Sequence, residues 1–261
     1  MESIISRSIF SPATGFIQRG GFHFTCNPYV GCTFGCVYCY AMYLPQNRRP
    51  KSDWGKWVQA KSNAVELAQK QAHKIALKPL YISSVTDPYQ PIERSLELTR
   101  GILQQLIPHQ PRVLIQTRGP LIIRDIDLLV QFHHLKVNYS VPTDSEEVFR
   151  QLEPKAPTLE KRWEAIRLLR QAKIQVGVCV TPTLPIQNPE RFAEQILGID
   201  PEVVVVQEFH DSQGAFGAST PETARKSLQI LSDTHSGQKA LVKLLEGKCN
   251  LREGEDGFYP P

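Results

Sequence analysis

"NPYVGCTFGCVYCYA", residues 27–41, brings three of the chain's six cysteines, Cys32, Cys36 and Cys39, within eight positions. Gly31 and Gly35 flank and interrupt this C-x3-C-x2-C run, and glycine lets a short loop bend through positive φ so that its sulfurs converge. Thiols crowded this closely fit iron-sulfur or zinc chemistry. Zinc would ask for a fourth ligand, for which Cys26 or His23 are the nearby candidates, each on the predicted strand before the loop rather than at a second knuckle. A cubane held by three cysteines leaves one iron without a protein ligand, and a metal with an open position does chemistry rather than structural work.

Outward from the loop, β-rich runs alternate with segments of helical period, which predicts βαβ units. Six strands are expected: 22–28, 79–84, 112–117, 136–141, 174–182 and 202–209, most of them rich in Val and Ile. Ala64, Ala68, Ala72 and Ile75 repeat at helical spacing behind a Ser62 cap, and Leu96, Leu103 and Leu106 do so in the next segment. Leu159, Trp163, Ile166 and Leu169 form a stripe read as a face packed on the sheet. Right-handed crossovers then allow an open doubly wound sheet or a partial barrel, and in both the ligand sits at the C-terminal strand ends. The cysteine loop follows the first strand, where such a fold builds a site.

With Tyr38 before the last cysteine, the loop resembles that of the radical S-adenosylmethionine superfamily, and the wider string resembles its spore photoproduct lyase-like branch. Similarity continues through "SSVTDPYQPIE" (83–93), "QTRG" (116–119) and "NYSVPT" (138–143). The resemblance implies a partial (β/α)6 barrel over residues 22–210, after an N-terminal segment (1–21) and before a C-terminal loop, helices and tail (211–261). It also implies a 4Fe-4S cluster on Cys32, Cys36 and Cys39, with S-adenosylmethionine on the unique iron. One electron, from an external donor such as flavodoxin or ferredoxin, would cleave the sulfonium and give a radical that abstracts hydrogen from an unidentified substrate.

Residues around that cofactor follow from the same resemblance. Thr86 and Asp87, past the second strand, suit an ammonium group, although Asp-Pro is also a common turn starter. Arg118 stands where relatives carry a base for the cofactor carboxylate, Ser140 where they carry a hydroxyl, and Tyr38 is expected near the adenine through packing and backbone rather than through its own hydroxyl. Ser84 stands where lyases of the branch carry a hydrogen-donating cysteine. Cys26 and Cys249 read as structural, and Cys179 as a buried apolar thiol or a radical relay. Glu208 and His210, closing the sixth strand, could face substrate.

A net charge of +4 over 261 residues neither demands nor excludes an anionic partner. The stretch 47–61 interleaves Arg48, Arg49, Lys51, Lys56 and Lys61 with Trp54 and Trp57; it could track phosphates and stack bases, but reads better as a solvated loop anchored by its tryptophans. Nucleic acid is thus a possible but not favoured partner. With no long apolar run the chain is expected to be cytoplasmic and off the membrane, where crowded cysteines are metal ligands rather than disulfides. Two competing readings are a DNA photoproduct lyase-type repair enzyme and a non-catalytic metal-binding module that holds nucleic acid. Thr220-Pro221-Glu222 after the small-residue loop 211–219 predicts a helix start, with a C-terminal helix broken at Ser236-Gly237 and a tail, 253–261, that either stays disordered or covers a barrel end.

Overall fold

A computed structural model of the chain describes residues 2–45, 47–208 and 234–261. The N-terminal quarter holds β1 (Glu2–Ile4), β2 (Phe10–Pro12), α1 (Gly15–Arg19), β3 (Phe24–Cys26), β4 (Tyr29–Val30), β5 (Gln59–Lys61) and α2 (Ala64–Gln71). Then come β6 (Pro79–Ile82), α3 (Glu93–Leu96), α4 (Leu98–Leu106), β7 (Arg112–Thr117), α5 (Ile126–Leu129) and β8 (Leu135–Ser140). The remainder is α6 (Glu146–Leu152), α7 (Leu159–Gln171), β9 (Gln175–Val180), α8 (Pro189–Leu197), β10 (Val203–Val206), α9 (Thr234–Leu245) and β11 (Leu251–Glu253).

The main sheet has eight strands in the order β11-β10-β9-β8-β7-β6-β3-β2, and β1, β5 and β4 form a separate small sheet. From β3 to β11 every pairing is parallel; β2 alone runs antiparallel, on β3. Each strand lies beside the next one in sequence, so the right-handed crossover rule carries every connecting helix to the same side. That order rules out the doubly wound alternative and leaves a barrel open between β2 and β11, with all six expected strands present.

Alternate residues build two interiors. Ile82, Ile115, Val137, Val178 and Val204 face the helices and pack with Ala64, Ala68, Ile102, Leu103, Ile166, Leu169, Phe192 and Leu241. Residues of the other parity face the barrel axis, where Tyr81 and Leu114 meet Ile17 and Phe22, and Cys179, Val203 and Val205 meet Phe258 and Tyr259. The C-terminal tail is therefore ordered and fills the barrel: Gly257 lies so close to Val205 that a Cβ there would be 2.4 Å from its side chain. Arg112 Nε also donates to the Pro261 carbonyl at 2.8 Å.

Three local expectations change. Asn63, not Ser62, precedes α2, and its side chain is spent on bonds with the Ser6 backbone rather than on a cap. Leu96 does not share a helix with Leu103, because Glu97 adopts φ +50° and separates α3 from α4. Finally, α9 runs unbroken past Gly237, whose missing side chain admits Ile186, with a Cβ there only 3.2 Å away. The loop 211–219, the Thr220-Pro221-Glu222 helix start and His210 lie outside the described residues. Among the described residues no helix is long and apolar enough to cross a membrane.

Candidate active site at the C-terminal mouth

Parallel strands deliver their C-terminal ends to one side, and a cavity of about 250 Å³ opens there. Every strand from β6 to β10 contributes residues at or just past its end: Ser83 to Asp87, Thr117 and Arg118, Ser140, Thr181 and Pro182, then Gln207 and Glu208. The loop after β3 contributes Cys32, Cys36, Tyr38 and Cys39. Thus all eight residues expected to hold a cluster or cofactor line a single cavity, together with Phe16, Tyr40, Tyr81 and Phe258 at its apolar walls.

The cysteine loop is held by bonds from outside itself. Thr33 N donates to Gln90 Oε1 at 2.9 Å, and the Gly31 carbonyl accepts from Thr86 Oγ1 at 2.6 Å and from Gln90 Nε2 at 3.4 Å. Val37 N donates to the Leu152 carbonyl at 2.9 Å. Gly31 (φ +80°) lies against the Trp57 ring, and Gly35 (φ +60°) stacks its backbone on Gly55 (φ +82°), so a Cβ on either loop glycine would sit 2.7 or 2.8 Å from a neighbouring atom. The tryptophans do anchor the basic loop. Trp57 receives Arg49, whose guanidinium also pairs with Glu2; Lys51 lies over the Tyr43 ring; and Lys56 pairs with Asp53.

Asp87 is 7% exposed and already employed. Its Oδ1 accepts from Thr117 Oγ1 at 2.7 Å and Tyr89 N at 2.9 Å, and its Oδ2 from Arg118 N at 2.9 Å, which ties the end of β6 to that of β7. Burial pushes its carboxyl above the usual range against the pull of these bonds. The turn chemistry of Asp-Pro and a place in the cavity wall thus coexist. Ser140 Oγ accepts from Gln116 Nε2 at 2.9 Å.

The Tyr38 hydroxyl is engaged, as a buried phenol needs to be. It bonds to Glu153 and accepts from Arg118 Nη1 at 2.9 Å. Arg118 Nη1 also pairs with Glu153 and lies 3.1 Å from Cys36 Sγ. Glu153, with no exposure, pairs on its other oxygen with Arg162 Nη2 at 2.5 Å, and Arg162 is equally buried. Burial alone would raise the Glu153 carboxyl; Arg118 and Arg162 outweigh it and hold the group below its usual range. Burial likewise pushes the Cys32 and Cys36 thiols up to about 12.

Sequence reasoning missed Gln90, Gly55, Glu153 and Arg162. Only Arg162 left a legible signal: it falls on the stripe of Leu159, Trp163, Ile166 and Leu169 at helical spacing, so a charge stood on a buried face. Cys26 and Cys179 are fully buried among apolar neighbours, and Cys249 is partly exposed on the helix side.

Three thiols of one loop thus stand at the C-terminal mouth of a singly wound parallel barrel. The chain belongs to the Radical SAM superfamily, whose family model matches residues 26–196. An uncharacterized protein of Methanocaldococcus jannaschii is 32% identical over 165 residues, 63% of this chain and 62% of that protein. The chain thus aligns with less than two thirds of the length of the curated relatives it matches. The fold is that of spore photoproduct lyase: the lyase complexed with dinucleoside spore photoproduct superposes with a TM-score of 0.65 at 12% identity, covering 97% of this chain and 82% of the other. A double mutant of the lyase with bound AdoMet and the same dinucleoside superposes at 0.62 and 13% identity, covering 96% and 80%.

Proposed function

We propose that the protein binds a 4Fe-4S cluster through Cys32, Cys36 and Cys39, binds S-adenosylmethionine beside it, and abstracts hydrogen from an organic substrate held at the same mouth. The observation that carries this is the arrival of three thiols of one loop and of five successive strand ends in one cavity. The donor set fits the cluster. Cys32, Cys36 and Cys39 line one cavity, and thiolates are the ligands such clusters take, each on its own iron. Among the described residues no fourth thiol lines the cavity: Cys26 lies behind the sheet and Cys179 is packed with Val203 and Val205. Held by Cys32, Cys36 and Cys39, the reduced cluster would supply one electron for cleavage of the S-adenosylmethionine sulfonium, the source of the hydrogen-abstracting radical.

The chain's own residues bind, orient and exclude water. A carboxylate offers about four acceptor sites and Asp87 has used three, which leaves one for the cofactor's ammonium group. Thr86 and Ser140 keep acceptor or donor capacity beyond their bonds to Gly31, Gln90 and Gln116, and we assign them to the same cofactor. The rings of Phe16, Tyr40, Tyr81 and Phe258 make walls that shield a reactive carbon radical from solvent.

The test is anaerobic reconstitution with iron and sulfide. A brown protein is expected that loses its near-visible absorbance in Cys36→Ala and, under dithionite, converts S-adenosylmethionine to methionine and 5′-deoxyadenosine. A colourless protein carrying one zinc, or an intact cluster that releases no 5′-deoxyadenosine, would sink the proposal.

A further inference from the structure

The resemblance assigns Arg118 to the cofactor's carboxylate, yet its Nη1 is already engaged by other groups. Three other groups hold its guanidinium: Glu153, the Tyr38 hydroxyl and Cys36 Sγ. Glu153 is itself immobilised. It follows the end of α6, its Oε2 pairs with Arg162, and Arg162 is clamped in turn by the carbonyls of Pro157 (2.9 Å) and Ser140 (3.2 Å). Every member of this chain of contacts lies in the protein interior: Glu153 and the Arg162 side chain have no exposure, and the Arg118 side chain is 15% exposed.

The Arg118, Glu153 and Arg162 side chains together carry one positive charge in excess, and the Asp87 carboxylate, which accepts from the Arg118 backbone N–H at 2.9 Å, is a further negative charge beside them. Buried charge is costly unless compensated. The Arg118 guanidinium also touches Cys36, whose sulfur lies 3.1 Å from Arg118 Nη1 and would be a thiolate once bound to iron. Cluster potentials respond to net charge and to hydrogen bonds on the sulfurs, and Arg118 supplies both to one ligand.

We infer that Glu153 and Arg162 are positioning residues that hold Arg118 against Cys36, so that Arg118 acts on the cluster and raises its reduction potential. The inference rests on the cluster reading above.

Redox titration of the reconstituted cluster, followed by electron paramagnetic resonance without S-adenosylmethionine, tests it through charge. Arg118→Gln takes the network from +1 to neutral and should lower the equilibrium constant for one-electron reduction at least tenfold, moving the midpoint 59 mV or more to the negative. Glu153→Gln takes it to +2 and should move the midpoint the other way. The double variant returns the charge to +1, and its midpoint should return toward that of the unmodified protein. A residue that merely supports the fold would shift both single variants in one direction and would not show this restoration.

Glu153→Gln leaves two buried guanidiniums without a carboxylate. If it fails to fold, Arg118→Gln, which keeps the Arg162–Glu153 pair, decides alone. An unmoved midpoint in Arg118→Gln overturns the inference, and a tenfold or greater loss of S-adenosylmethionine affinity alongside it would return Arg118 to the carboxylate. If the unmodified protein takes up no cluster, the functional reading fails; if the cluster forms and its midpoint ignores Arg118, only this inference fails.

Discussion

Asp87→Ala separates a side chain that only touches a cofactor from one that also holds the mouth together. In the metal-free protein it strips the acceptor from three donors: the backbone N–H groups of Tyr89 and Arg118 and the hydroxyl of Thr117. Each buried donor left without a partner costs about 1–3 kcal/mol. Removing the carboxylate also removes its desolvation penalty, the cause of its raised pKa, so the lower end applies and the net loss is about 3 kcal/mol. In a chain of this size each kcal/mol lowers Tm by about 2–4 °C, so a fall of about 6–12 °C is expected by calorimetry. Asp87→Asn keeps an acceptor for Tyr89 and Thr117 but turns an amide toward the Arg118 N–H, and should lose about a third as much. An Asp87→Ala protein that melts within a degree or two of the unmodified one would refute the structural role and leave only a cofactor contact.

Other outcomes follow from single sites. Lys136 lies in the barrel with no exposure, its Nζ without a hydrogen-bond partner among the described residues and 3.4 Å from the Tyr259 ring centroid. Burial lowers its pKa from 10.5 to about 8, a destabilisation of at most about 3 kcal/mol that is full below pH 8 and vanishes above 10.5. Lys136→Met should therefore raise Tm at pH 7, with an advantage that shrinks between pH 8 and 10.5; an advantage that does not change with pH would contradict this. Gly35→Ala should abolish cluster uptake measured by iron content, because its Cβ would meet the Gly55 backbone, whereas Gly247→Ala, with open space around it, should not. If this protein uses the lyase's chemistry at all, Ser84 should prevent efficient release of thymine from dinucleoside spore photoproduct, since a serine O–H is far too strong to quench a carbon radical; clean catalytic release by the unmodified protein would be the contrary result.

What the chain declares locally, it declares well. The Val- and Ile-rich runs around Val113, Val176 and Val204 are strands because a strand buried on both faces favours apolar residues at consecutive positions, a local property. The cysteine spacing is local in the same way, so Cys32, Cys36 and Cys39 could be named before any fold was known. Winding and charge pairing are not local. Only the order β3-β6-β7-β8-β9-β10 chooses a barrel over a doubly wound sheet, because the same six runs satisfy either. Gln90, Glu153 and Gly55 are ordinary residues until the fold sets them against Thr33, Arg118 and Gly35, far away in sequence. The helix spacing alone passes smoothly through Leu96 and stumbles at Gly237, yet tertiary packing breaks the first helix at Glu97 and carries the second straight through. A buried charge or a close backbone approach takes its meaning from its partner, and the fold supplies that partner from another element.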